Sequence, residues 1–258
     1  MEKVTGLTRL ICLMAVFLIV SAAGALAQEE GVDDGFGGYP FPGAVDGLPP
    51  ESQPGQPFRG HPAYQLHIEW AAIPTWLAGD WTSSDYRIMQ SLNNQTGEQH
   101  NLPTSKNMVV VDHFGDLQDR QGTVWAAMMS PYVMNLPNSG FTDSQQVIGI
   151  KALSVSGDGI ELWQRIVHVV YDPNSGAIQD SFIEERVSQI APSGPGLALA
   201  TVFNRYFDAA GRATVTTRAI RVMRRTRAFQ PSGQRDGVDL QSSFAQYLTS
   251  SGRPELIP

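Results

Sequence analysis

One cysteine occurs in the whole chain, Cys12, and it lies inside the N-terminal apolar run. If that run is removed, no disulfide, thiol nucleophile or thiolate metal ligand remains. Stability must then come from an ordinary packed core. Basic residues are also scarce, 18 against 25 acidic, for a formal net charge of −7. Such a balance argues against general nucleic-acid binding, which rests on neutralising phosphates. A second long apolar run is missing too, so no membrane helix is expected beyond the first one. The five histidines form no recognised zinc spacing, and neither a Gly-x-Ser-x-Gly elbow nor a glycine-rich phosphate loop occurs. No catalytic residue, metal or cofactor is assigned.

What is present begins with a leader. Lys3 and Arg9 precede the unbroken apolar stretch Leu10 to Val20, and Ala25-Leu26-Ala27 offers small residues before Gln28-Glu29-Glu30. This three-part pattern reads as a cleavable signal peptide over 1–27. The apolar run is short of the roughly 20 residues a span needs, which disfavours an anchor. The expected location is periplasmic or extracellular. Residues 28–60 are rich in Gly and Pro and poor in aliphatics, the composition of a disordered or extended linker. A domain is expected over 61–250 and a loose tail over 251–258.

Within the domain, Tyr64 to Leu77 is expected to form a short helix or an irregular plug. Eight long segments rich in Val, Ile, Thr and aromatics follow, at 80–92, 106–117, 122–134, 144–156, 159–171, 177–190, 197–207 and 213–226. Short turn clusters such as Ser156-Gly157-Asp158-Gly159 and Asp172-Pro173-Asn174-Ser175-Gly176 separate most of them. Turns this short join antiparallel neighbours. The fold class is therefore all-β, an antiparallel up-and-down meander. Closing eight strands into a barrel removes the two long edges an open sheet would expose. Leu240, Phe244, Tyr247 and Leu248 are spaced as on a helix, predicted within 238–249.

Trp76-Leu77-Ala78-Gly79-Asp80-Trp81 sits at the head of the first long strand. A Gly-x-Trp at that place resembles the lipocalin (calycin) superfamily, and Trp-Leu-Ala-Gly-x-Trp resembles secreted bacterial lipocalin-like domains. The resemblance covers about residues 72–249. It implies an eight-stranded barrel in which Trp81, entered through Gly79, closes one end. A basic residue near the end of the last strand, Arg224, Arg225 or Arg227, would stack on that indole. It further implies a cavity for a small hydrophobic or anionic amphipathic ligand.

Alternation along the strands gives candidate lining residues. The more apolar sets place His168, Phe182, Glu184, Arg186, Phe203 and Arg205 inward. In the register set by the turns, Gln164 lies opposite Glu184, Glu184 lies near Phe203, and Arg205 is on the diagonal. Arg186 or Arg205 would then orient an anionic head group. The same residues allow two plainer readings: Glu184 pairs with these arginines whatever its role, or the faces are inverted and the charges solvated. Asp112 and His113, as strand neighbours, point to opposite faces and cannot act together. Trp125, Met128 and Met129 read as packing. The arginines at 218, 221, 224, 225 and 227 read as shared between two strand faces. Three functions follow: a binder of a small hydrophobic or amphipathic molecule, a structural or interaction protein of the cell envelope with a filled barrel, or an enzyme on the same scaffold.

Overall fold

The computed structural model describes residues 41–101 and 103–258, and of 106–108 the backbone alone. The leader and residues 28–40 lie outside the described residues. The strands are β1 (His67–Ile73), β2 (Gly79–Asn93), β3 (Gln99–His100), β4 (Thr104–Phe114), β5 (Leu117–Gln118), β6 (Val124–Ser130) and β7 (Tyr132–Asn138). They continue as β8 (Phe141–Ser156), β9 (Gly159–Tyr171), β10 (Ile178–Gly194), β11 (Leu197–Phe207), β12 (Ala213–Ala228), β13 (Gln234–Arg235) and β14 (Val238–Asp239). One helix follows, α1 (Leu240–Ser250). None of the described helices is long and apolar enough to cross a membrane.

The strands from β7 to β12 form an antiparallel meander in chain order, and β2 joins its far side against β12. β4 pairs with the outer side of β2. The ladder thus runs β4-β2-β12-β11-β10-β9-β8-β7. Among the described residues no ladder joins β4 to β7. One face of this sheet, here the inner face, packs on β6 and β1. A single apolar core there takes Trp81 from β2, Phe114 from β4, Ile150 from β8, Ile160 and Leu162 from β9, Ile190 from β10, Ala200 and Val202 from β11, and Met223 from β12.

β1, β6 and β5 make a second, three-stranded sheet. All seven residues of β6 are buried because the strand is covered on both sides. Val124, Ala126 and Met128 enter the inner core. Trp125, Ala127 and Met129 face α1 and pack with Trp70, Leu240, Phe244 and Leu248. The period-2 alternation of a strand divides its side chains between two cores here. Asp239 caps α1, its side chain accepting from the Ser242 amide at 3.0 Å.

Four expectations need correction. Tyr64 to Leu77 forms no helix or plug: its central part is β1, paired residue for residue with β6. The segment predicted as one strand at 122–134 is divided into β6 and β7, which belong to different sheets. The tail is not loose. Leu256 is buried beside α1, and its carbonyl accepts from the Arg120 amide at 3.1 Å. Residues 41–60 are not a free linker either. Val45 and Leu48 donate backbone hydrogen bonds to Gly211 and Ala209, and Gly55 and Phe58 donate to Ile178 and Gly176. Val45, Leu48 and Phe58 cover an apolar patch on the outer face formed by Val167, Val169, Ile183 and Phe207. Backbone pairing replaces the aliphatic content that the segment lacks. Gly211 is required for this approach, since a Cβ there would stand 1.9 Å from the Val45 carbonyl oxygen.

Candidate functional site

The ladders fix which side chains share the inner face, because residues directly opposite project to the same side. Glu184 lies opposite Ile166 of β9 and Tyr206 of β11, and Arg186 lies opposite Gln164 and Asn204. Phe182 lies opposite His168, and His168 opposite Gln145. His168, Phe182, Glu184 and Arg186 are therefore together on the inner face, at the end remote from Trp81.

His168 has a side chain 5% exposed and is held by two carboxylates. Its Nδ1 lies 3.2 Å from both oxygens of Asp143, and its Nε2 lies 3.1 Å from Glu184 Oε2. The Phe182 ring stacks on it at 4.2 Å and 14°. Arg186 Nε donates to the other oxygen, Glu184 Oε1, at 2.8 Å. Asn204 links this group to Tyr86 and Thr217, with Nδ2 at 3.0 and 3.1 Å from their hydroxyl oxygens. Charges thus alternate from Asp143 through His168 and Glu184 to Arg186, and each buried charge has a partner.

The titration of these groups follows from the pairing. Burial opposes charge on Glu184, but the neighbouring Arg186 cation, with His168, outweighs it and lowers the carboxyl to about 2. Burial likewise opposes the imidazolium of His168, and hydrogen bonds to Asp143 and Glu184 outweigh it, raising its pKa. A protonated imidazole between two carboxylates is a poor proton acceptor. Around it stand four partly exposed rings, Tyr86, Tyr132, Phe182 and Tyr206. Burial raises the phenol pKa of Tyr86, Tyr132 and Tyr206, so all three stay protonated and keep a donor. The Arg186 charge acts on each of them. Its side chain remains 30% exposed.

Phe203 and Arg205 do not belong here. They lie opposite Val187 and Glu185, on the outer face. The cause is local: the β10–β11 register shifts at Ser193, between the pairs Pro192–Ala198 and Gly194–Leu197. One extra residue in a strand inverts every later assignment. Arg205 instead reaches back to the 41–60 segment, its guanidinium over the Phe41 ring at 5.4 Å and donating to the Phe41 carbonyl. The expected pairing of Gln164 with Glu184 is displaced by two residues, to Arg186, which preserves the face. Sequence reasoning misses Asp143 and the three tyrosines. The turn signals put Asp143 at the end of a loop, although β8 begins at Phe141.

At the other end, Trp81 is 1% exposed and donates through Nε1 to the Leu77 carbonyl at 2.6 Å. Arg225 lies opposite it in the ladder, its guanidinium 5.0 Å from the indole, and donates to the Trp76 carbonyl. Arg224 is exposed and projects from the other face. Gly79 has φ of 128°, and a Cβ there would be 2.3 Å from the Arg227 carbonyl oxygen. Asp112 and His113 separate as alternation requires. Asp112 faces inward to Arg221 at 2.6 Å. His113 lines an outer cleft of about 440 Å³, between Asp80 at 2.6 Å and Asp116 at 3.6 Å.

Compared with known proteins, the chain matches no family model, no curated protein and no solved structure.

Proposed function

We propose that this is an exported, lipocalin-like protein that binds a small amphipathic molecule, with the polar head held at the His168–Glu184–Arg186 end of the inner face. The observation that carries the reading is the placement of a four-charge network, Asp143 through His168 and Glu184 to Arg186, on a face whose other end is mainly apolar and carries one ion pair, Asp112–Arg221. Buried ion pairs add little net stability, and apolar residues of similar volume serve a fold as well or better. The Trp81 end of the same strands is mainly built in that apolar way, with one ion pair, Asp112–Arg221, at its side. Three protonated phenols and a partly exposed guanidinium beside the network supply donors for a carboxylate or another oxygen-rich head.

The lipocalin-like part is supported by the meander from β7 to β12, its return to β2, and the Arg225–Trp81 stack behind Gly79. It is also supported by seven strands turning one face into a common core, which is what curvature towards a barrel produces. Export rests on the leader pattern.

The test is native mass spectrometry of protein purified from its own host, followed by titration with palmitate and with hexadecanol. Palmitate is expected to bind more tightly, and Arg186→Met to remove that preference while the variant stays folded by circular dichroism, though less stable because Glu184 loses its cation. Identical binding of acid and alcohol, or no binding of either, would reject the reading.

A second reading, an envelope interaction protein, is favoured by the strands at the two ends of the ladder. Val109 and Val111 of β4 are 71% and 73% exposed, and Val133 and Leu136 of β7 are also exposed. Crosslinking in cells through photoreactive residues at 109 and 136 would trap a partner on this reading and none on the first.

A further inference from the structure

A second cleft, of about 450 Å³, lies on the outer face of the β7–β8 ladder, away from the inner network. That volume is in the range of small-molecule sites, roughly 300–1,000 Å³. Its floor is set by register, with Val133 opposite Gln146 and Asn135 opposite Ser144. Its wall is the chain that leads into β1, carrying Phe58, His61, Pro62 and Tyr64, together with Tyr171 at the end of β9. The wall is braced: Phe58 meets His61 edge-on at 5.3 Å and lies on Tyr171 at 4.7 Å.

Two residues that line this cleft each carry a buried polar atom with no hydrogen-bond partner among the described residues, Gln146 Oε1 and His61 Nδ1. Gln146 is only 4% exposed. Its Nε2 donates to the Pro62 carbonyl at 3.0 Å. A carbonyl only accepts, so the amide orientation is fixed and Oε1 is left requiring a donor. His61 Nε2 is engaged with the Ser144 hydroxyl at 2.9 Å. Burial lowers the pKa of His61, so its ring is neutral near pH 7, with one nitrogen donating and the other accepting. A buried polar atom left unpaired costs free energy, and two of them in one cleft mark what an occupant would relieve.

The lining excludes several chemistries. It contains no Asp, Glu, Lys or Arg, so an ion would enter without a counter-charge. The occupant must bring a donor to Gln146 and satisfy His61 in either tautomer. A hydroxyl donates and accepts, so it meets both demands. Phe58, Tyr64 and Tyr171 add aromatic rings, whose negative faces favour weakly positive C–H groups.

We propose that this cleft binds a neutral sugar ring, its hydroxyls on Gln146 and His61 and its C–H face against the aromatic wall. The site is on the opposite face of β8 from the inner network, and the proposal does not rest on the reading of that network. The experiment is saturation-transfer NMR and calorimetry on the full chain with glucose, galactose, mannose and N-acetylglucosamine, and with glucuronate and glucosamine as charged controls. At least one neutral sugar is expected to bind, and the charged pair to bind about tenfold more weakly or not at all. Gln146→Leu is expected to weaken binding about tenfold, the loss of one well-formed hydrogen bond. Tyr64→Ala, at a residue 49% exposed, tests the wall without touching the core and is expected to weaken binding several-fold. Failure of every neutral sugar to bind at millimolar concentration would mean that water alone fills the cleft and would overturn the proposal. Equal binding of the charged sugars, or undiminished binding by both variants, would overturn it as well.

Discussion

The two ends of the inner face are made from the same strands and differ in almost everything else. At the Trp81 end, Leu77, Ile160, Ile190 and Met223 fill the space with apolar volume and none is more than 3% exposed. At the His168 end, four charged side chains pair in sequence and aromatic rings stay partly open. An interior built only for stability would continue the first pattern along the whole strand. The change of chemistry along β9 and β10 sets an apolar stretch beside a charged one, and the proposed function rests on that contrast.

The contrast can be broken at either end. Trp81→Ala removes the largest fully buried side chain among the described residues and the surface on which Arg225 rests. A loss of about 3–5 kcal/mol is expected from urea unfolding. Glu184→Ala leaves His168 and Arg186 without their shared partner and is expected to cost about 3 kcal/mol by the same measurement. Replacing the network together, by Asp143→Asn, His168→Phe, Glu184→Leu and Arg186→Met, is expected to leave stability unchanged or higher. If the quadruple variant lost as much as Trp81→Ala, the two ends would both be structural and the contrast would fail.

Acid sharpens the same comparison. The Glu184 carboxyl is held at about 2 in the folded chain, below its ordinary value of 4.5. Its contribution is present above pH 4.5 and is lost as pH falls from there towards 2. The raised His168 works in the other direction. Its contribution is complete below its ordinary 6.5 and is lost as pH rises through the raised value. Urea midpoints measured across pH should decline on both sides, and Glu184→Gln should flatten the acid limb. The smallest expected loss is that of Arg225→Met, about 1 kcal/mol for the cation over the Trp81 indole, read as a lowered urea midpoint.

Much of the sheet is legible in the sequence because its signals are local. Period-2 alternation and turns such as 172–176 place β8 to β12 within a few residues of their observed bounds. The inner faces of β9 and β10 are also legible, since Ile160, Leu162 and Ile190 mark them. β11 misleads because both of its faces are apolar and Ser193 adds one residue to the ladder. A bulge of this kind leaves no compositional trace. The segment 41–60 misleads for a different reason. Its order comes from backbone bonds to the 176 and 209–211 turns, and partners so distant cannot be inferred from Gly and Pro content. Asp143 and the tyrosines are beyond reach, because their meeting with His168 and Arg186 depends on registers across several ladders.

The alternation along β6 has a last consequence. Even-numbered side chains serve the core beneath the large sheet, and odd-numbered ones serve the core beneath α1. No plane separates the two without cutting that strand, so neither core can melt alone. Scanning calorimetry should show one transition for both, and Phe244→Ala, far from the inner network, should lower the temperature at which His168 and Glu184 come apart. The amides of Val124–Ser130 should be among the slowest to exchange with solvent, opening only when the whole domain does.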